Sequence, residues 1–124
     1  CAVAIAPVAD LSTMYKQDLR ERGSRRTAER SLLRQLGPES GFDAISPYRF
    51  AENADAPVML IHGRDDTVVP FRHSFMMADA LKDAGKPYEF VELEGEDHWL
   101  SLSTTRKEML EAAMRFVQEH NPAD

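Results

Sequence analysis

The sequence is poor in features that mark several classes of protein. Its one cysteine, Cys1, excludes an internal disulfide and a metal site built from several cysteines. Lysine and arginine total 15 against 21 aspartate and glutamate residues, and the net charge of -6 argues against a nucleic-acid-binding surface. No apolar run approaches the roughly 20 residues of a membrane span. We therefore expect neither a nucleic-acid partner nor a membrane-spanning segment.

The composition is that of a globular protein. The 124 residues are 43% hydrophobic and 29% charged, which fits one domain or part of one. The chain begins with Cys-Ala-Val-Ala-Ile-Ala-Pro, a buried-strand pattern with no initiator methionine before it. We interpret the sequence as a single partial domain over residues 1–124 of a longer polypeptide.

The stretch around which the chain is organised is an apolar run that enters a polar loop. Val-Met-Leu-Ile follows Pro57 and is followed by His62-Gly63, which predicts a strand over residues 57–61 that is buried on both faces and ends at a turn. Two further strands are predicted over Ala2–Ala6 and over residues 88–93, where branched and aromatic residues are frequent.

Helical patterns separate these predicted strands. Helices are predicted over residues 13–20 and 25–36 with a break at Gly23-Ser24. Residues 39–56 are predicted to be irregular, with one short turn near residues 42–45. An apolar stripe after Pro70 and a capping box from Thr105 to Glu108 predict two more helices, the last of them running to about His120. Alternating strands and helices predict an α/β fold with a parallel sheet.

Polar side chains follow two consecutive predicted strands. Asp65 and Asp66 come after the central strand, and Glu96, Asp97 and His98 come after the next one. The carboxyl ends of neighbouring parallel strands lie at one edge of a sheet, where open α/β folds place their chemistry. A buried aspartate that accepts a hydrogen bond from a histidine fixes the tautomer of the imidazole and stabilises imidazolium. The sequence thus predicts a carboxylate–histidine pair at this edge.

These residues resemble a known family. The element His-Gly-x-x-Asp-x-x-Val-Pro, followed by Gly-x-x-His, is similar to the final third of an α/β-hydrolase. Within that superfamily the chain most resembles the prolyl oligopeptidase family of serine peptidases, which includes dipeptidyl-peptidases and acylaminoacyl-peptidases. The phrases that carry this resemblance are Ser46-Pro47-Tyr48, Leu60-Ile61-His62-Gly63 and Glu96-Asp97-His98-Trp99. It implies about three parallel strands with flanking helices, forming the C-terminal portion of an α/β-hydrolase fold.

The resemblance also implies roles for individual residues. It places the acid of a Ser-Asp-His triad on Asp66, the base on His98 and a wall of the substrate pocket on Val69, whereas Asp65 has no assigned role. The expected activity of the full protein is hydrolysis of peptide bonds in short peptides. We expect no cofactor and no metal.

The chain departs from the family pattern at the nucleophile. The sequence contains no Gly-x-Ser-x-Gly, the motif that carries the nucleophile in α/β-hydrolases. In the family the nucleophile and an oxyanion contact lie upstream of the strand assigned to Ala2–Ala6, so we predict that this chain alone is inactive. The strand Ala2–Ala6 would then be an open edge, available for self-association or for pairing with the missing N-terminal part.

Other functions are compatible with the same residues. A carboxylesterase or dienelactone-hydrolase-like enzyme would use the same triad, and a non-catalytic flavodoxin-like binding module would need only the fold. A metal site made of Asp65, Asp66 and His98 is chemically possible, although the spacing matches no strong metal motif.

Several polar residues have a structural interpretation instead. His62 is expected to pack beneath the loop, and His73 and His120 are expected on exposed helix surfaces. Glu94, Glu96 and Asp97 are expected to form a solvated acidic rim.

Aromatic residues near these loops are also given structural roles. Trp99 is expected to pack beside the loop that carries His98, and the run Phe75-Met76-Met77 is expected in the core rather than at a ligand site.

Overall fold

A parallel three-stranded sheet organises the computed structural model, which describes residues 1–21 and 25–122. The strands are β1 (Ala2–Ile5), β2 (Val58–Gly63) and β3 (Tyr88–Leu93), adjacent in that order. The α-helices of the described residues are α1 (Leu11–Glu21), α2 (Arg25–Leu36), α3 (Arg72–Asp83) and α4 (Ser103–His120), and 3-10 helices cover Glu39–Ile45 and Pro47–Asn53. The predicted α/β class and parallel sheet are confirmed.

The register brings the ends of β2 and β3 side by side. Ala2 lies opposite Val58 at the start of the β1–β2 pair, and Gly63 lies opposite Leu93 at the end of the β2–β3 pair. The loops that follow β2 and β3 therefore leave the sheet at the same edge and next to each other.

Helices cover both faces of β2. Because side chains alternate along a strand, Met59 and Ile61 face one layer and Leu60 faces the other. The first layer is completed by residues of β3 and α4, and the second by residues of α3 and the second 3-10 helix. The buried cluster on the α4 side comprises Met59, Ile61, Leu93, Met109 and Phe116. The predicted burial of β2 on both faces is confirmed.

The boundaries of some elements differ from those predicted. β2 continues through His62 and Gly63, since these residues still pair with β3. Residues 39–56, predicted to be irregular with one short turn near residues 42–45, contain both 3-10 helices, the first of which covers that turn. α1 begins at Leu11, one residue after Asp10, whose carboxylate accepts hydrogen bonds from the backbone N–H groups of Ser12 and Thr13 as an N-cap does. The predicted break at Gly23-Ser24 lies outside the described residues.

Two predictions about helices are wrong. The capping box does not form, because α4 already begins at Ser103 and the Thr105 hydroxyl bonds to Glu96 instead. Phe75 was expected in the core with the methionines that follow it, but its side chain is exposed on α3.

The strand β1 is less buried than its sequence suggests. Ile5 is 45% exposed, and among the described residues the one strand paired with β1 is β2. The run of small and branched residues fits a strand buried on both faces, but here one edge of that strand is open. In the part of the chain that is described, no helix has the length and apolar character needed to cross a membrane.

Candidate active site

Asp66 and His98 meet at the common edge of β2 and β3. The Nδ1 atom of His98 lies 2.8 Å from Oδ2 of Asp66. The Asp66 side chain is buried, whereas the His98 side chain is 26% exposed. Since Nδ1 is engaged by the carboxylate, Nε2 is the ring nitrogen that His98 has available for a reacting group.

Both oxygens of the Asp66 carboxylate are hydrogen-bonded. Oδ1 accepts the backbone N–H groups of Val68 and Val69, each at 2.8 Å. Oδ2 faces His98 and also Nε2 of His62, which lies 3.2 Å away. A buried carboxylate is costly unless it is paired and hydrogen-bonded, and these contacts supply that compensation. The turn after β2 thus fixes the orientation of the acid before any substrate is present.

Gly63 allows the two loops to approach closely. A Cβ atom built on Gly63 would overlap the carbonyl oxygen of Glu96 and lie 3.0 Å from that of Asp97. A backbone hydrogen bond joins the two loops at this point: the N–H of Asp65 donates to the carbonyl oxygen of Glu96, with 3.0 Å between nitrogen and oxygen. The absence of a side chain at position 63 is therefore what lets the loop carrying His98 lie against the loop carrying Asp66.

Glu96 was expected to lie in a solvated acidic rim, and this expectation is wrong. The residue is fully buried. Its carboxylate accepts hydrogen bonds from the Thr105 hydroxyl and from the backbone N–H groups of Asp97, at 3.0 Å, and Leu102, at 3.3 Å. Burial raises the pKa of Glu96, but these hydrogen bonds outweigh it and hold the pKa below its ordinary value. The buried anion lies beside the N-terminus of α4, where the helix dipole favours negative charge.

Asp97 braces the same loop from outside. Its side chain accepts hydrogen bonds from the backbone N–H of Trp99 at 2.9 Å and from the hydroxyl of Ser101 at 2.7 Å. The Ser101 hydrogen bond holds the pKa of Asp97 below its ordinary value. Trp99 was expected to pack beside the loop; it contacts the His98 ring edge-on at 5.2 Å but is 74% exposed.

The remaining predicted residues divide between the surface and the interior. Asp65 is exposed, unlike its neighbour Asp66, and Glu94 is exposed as expected. Val69 is buried, and its backbone contacts both Asp66 and His62. His62 is buried beneath the loop, which agrees with its structural interpretation.

His73 was expected on an exposed helix surface, and this expectation is wrong. It is fully buried at the start of α3, where its Nδ1 accepts the backbone N–H groups of Ala9 at 3.3 Å and Asp10 at 3.4 Å. Burial, with the nearby Arg72 charge, lowers the pKa of His73. Its Nε2 atom has no hydrogen-bond partner among the described residues. The stretch after β1 is thus tied to α3 by a neutral imidazole.

The structure gives little support to a metal site at Asp65, Asp66 and His98. Asp65 is exposed whereas Asp66 is buried, and both oxygens of Asp66 already accept hydrogen bonds from N–H groups. Another group, Glu89, Glu119 and His120, has ligand atoms within 4.8 Å of one another. There the guanidinium of Arg115 pairs with both carboxylates, so a protein cation already occupies that position.

Known proteins share this fold and its sequence features. Residues 1–122 match the prolyl oligopeptidase family. The chain is 33% identical over 57 residues to dipeptidyl-peptidase 5 of Porphyromonas endodontalis, an alignment that covers 46% of this chain and 8% of that protein. The chain thus spans only a small part of the curated relatives it matches.

Solved structures give the same result over almost the whole chain. A puromycin-hydrolyzing peptidase of Mycobacterium tuberculosis superposes with a TM-score of 0.84 and 27% identity, over 99% of this chain and 19% of that one. An esterase of Thermogutta terrifontis superposes with a TM-score of 0.70 and 30% identity, over 98% of this chain and 44% of the esterase. The flavodoxin-like alternative finds no support in these matches. The extent of the family match and the shared fold show that this chain belongs to the prolyl oligopeptidase family.

Proposed function

We propose that this chain is the C-terminal part of the catalytic domain of a serine peptidase that cleaves short peptides. Asp66 and His98 would act with a serine supplied by another part of the polypeptide, because this sequence has no Gly-x-Ser-x-Gly. The observation that carries the proposal is the 2.8 Å contact between a buried carboxylate and a partly exposed imidazole. Membership of a peptidase family supports it independently.

The chemistry would be acyl transfer. The serine hydroxyl attacks the carbonyl carbon of the scissile bond while Nε2 of His98 takes its proton. The imidazolium then gives that proton to the leaving amine, and a water molecule repeats both steps on the acyl-enzyme. Asp66 holds the neutral ring with its proton on Nδ1 and stabilises the charged ring that forms during each step. Donors to the oxyanion would come from outside this chain.

A carboxylesterase is the second candidate function. The 30% identity to the Thermogutta terrifontis esterase favours it, because that protein matches almost all of this chain. An ester and an amide share the tetrahedral chemistry, so the Asp66–His98 pair alone does not discriminate between them. The ratio of kcat/KM for an aminoacyl p-nitroanilide to that for the matching p-nitrophenyl ester distinguishes the two functions.

The two neighbouring aspartates provide a matched test in the full-length protein. Asp66→Asn is expected to lower kcat by about 10⁴-fold, because the imidazole loses the partner that fixes its tautomer. Asp65→Asn is expected to change kcat by less than about twofold, as exposed substitutions usually do. Equal effects of the two substitutions, with both variants folded, would contradict the proposed role of Asp66.

The chain by itself is expected to be inactive. The 124-residue polypeptide should turn over no aminoacyl p-nitroanilide, because it lacks the motif of the nucleophile. Turnover that disappears in His98→Ala would show instead that this chain contains a complete site.

A further inference from the structure

His62 contacts the same carboxylate oxygen of Asp66 as His98 does. It lies near the end of β2, is fully buried, and places Nε2 3.2 Å from Oδ2 of Asp66 and 2.8 Å from the carbonyl oxygen of Val69. A carbonyl oxygen and a carboxylate oxygen are both acceptors, so the nitrogen that faces them carries the proton. One N–H group of His62 therefore joins the acid to the backbone of the turn.

Ser74 determines the state of the other ring nitrogen. Its hydroxyl lies 2.7 Å from Nδ1 of His62, and Ser74 is fully buried in the first turns of α3. In a neutral ring with its proton on Nε2, Nδ1 is an acceptor, and the hydroxyl donates to it. The ring of Phe71 packs edge-on against the imidazole at 5.8 Å and further limits its rotation.

The contact between His62 and Asp66 affects how the carboxylate is oriented toward His98. Two backbone N–H groups hold Oδ1, and the N–H of His62 approaches Oδ2, so the carboxylate is held at both oxygens while Oδ2 faces His98. Without His62, the side of Oδ2 that faces the protein interior would lose its donor, and the acid could rotate away from His98.

We propose that His62 is a positioning residue that holds Oδ2 of Asp66 toward His98, and that Ser74 locks His62 in the tautomer that can do so. The proposal rests on the function proposed above, since it assigns His62 a part in the geometry of the same pair. His62 acts through Asp66 and does not touch the reacting atoms.

Two amide substitutions at position 62 separate this role from packing. The amide nitrogen of glutamine can reach the place of Nε2 and donate to Asp66, whereas the shorter asparagine reaches only the place of Nδ1, next to Ser74. In the full-length protein, His62→Asn is expected to lower kcat by about 10- to 100-fold with little change in KM, the effect of a misplaced catalytic group. His62→Gln is expected to retain kcat within about threefold of wild type, because the donor is restored.

The results have distinct meanings. Equal kcat values for the folded asparagine and glutamine variants would overturn the positioning role, and so would a change confined to KM. Asp66→Asn, measured in parallel, separates the two proposals: if it retains activity, the proposed function fails, whereas if it is inactive and His62→Asn is fully active, only the positioning role fails.

Ser74→Ala tests the same role with His62 left in place. The substitution removes the hydrogen bond to Nδ1, and kcat is expected to fall by about tenfold because a buried acceptor loses its partner. A wild-type kcat in Ser74→Ala would overturn the locking role, even if the variants at position 62 fail to fold.

Discussion

The region at the ends of β2 and β3 differs from the region around β1 in how well its side chains are paired or covered. At the ends of β2 and β3, two buried carboxylates have hydrogen-bonding side-chain partners: Asp66 with His98 and His62, and Glu96 with Thr105. At β1 and the surface of α4 that lines a groove together with Val3, apolar side chains are exposed. This second surface, called the open face below, comprises Ile5, Leu110, Met114 and Val117.

The difference shows which part of the site this chain builds by itself. The paired region needs no further polypeptide to orient Asp66 and His98, because its donors and acceptors come from β2, from the loops after β2 and β3, and from the first turns of α3 and α4. On the open face, the exposed residues of α4 recur at i, i+4 and i+7, which is the spacing of a helix stripe that contacts a neighbour. We propose that upstream polypeptide covers this face in the full-length protein.

The largest effect is expected from a side chain placed between the two loops of the paired region. Gly63→Ala would put a Cβ atom into the Glu96 carbonyl, and backbone cannot move aside as a flexible side chain does. We expect a loss of about 3 kcal/mol in the free energy of unfolding, measured by urea denaturation. Gly41→Ala is the matched control, since a Cβ there has no atom within 4 Å. Equal effects at both positions would show that the loops can separate at little cost.

An intermediate effect is expected from Glu96→Gln, which removes the buried charge but keeps the shape. The folded-state pKa of Glu96 is lowered, so the stability it contributes is present above the ordinary value of 4.5 and is lost as the pH falls through the folded-state pKa. The difference in unfolding free energy between wild type and Glu96→Gln should therefore be largest at neutral pH and shrink in acid. Urea midpoints measured from pH 7 downward check this, and a difference that grows toward low pH would contradict it.

The smallest effect on stability is expected on the open face. Ile5→Lys should change the unfolding free energy by no more than about 0.5 kcal/mol, because the side chain is already 45% exposed. It should reduce the self-association that we expect of the isolated chain, since lysine on an edge strand opposes pairing. Sedimentation velocity of both forms measures this. A wild-type chain that stays monomeric would contradict the expected self-association.

The local sequence pattern was sufficient to predict the parallel sheet and the proximity of the loops that follow β2 and β3. The unbroken apolar run before His62 predicted the buried central strand, and the parallel order then required the loops after β2 and β3 to be neighbours. The contact between Asp66 and His98 follows from that arrangement. The catalytic roles of these two residues, and the pocket role of Val69, stay predictions.

Local pattern failed where a charged or polar residue finds its partner far along the chain. Glu96 and His73 were assigned to the surface because acidic loops and helix histidines are usually solvated. Both are buried, Glu96 by hydrogen bonds from Thr105 and nearby backbone, and His73 by the N–H groups of Ala9 and Asp10. No spacing in the sequence signals these pairs, because each depends on how a loop closes over a helix terminus.

The sequence by itself determined that a carboxylate and a histidine would lie at one edge of the sheet. The evidence was a buried apolar run that leads into a loop with two aspartates, followed one strand later by a second polar loop. Periodicity is enough for that, because strands and helices bury their apolar faces in only a few arrangements. The family resemblance had already singled out Asp66 over Asp65, and His62 was already expected beneath the loop. Tertiary structure alone decided that His62 contacts Asp66, that Ser74 contacts His62, and that Gly63 brings the loops into contact. Those outcomes depend on which hydrogen-bonding groups lie within reach of one another after the chain has folded. A local sequence pattern does not contain the distances between residues that are far apart in the chain.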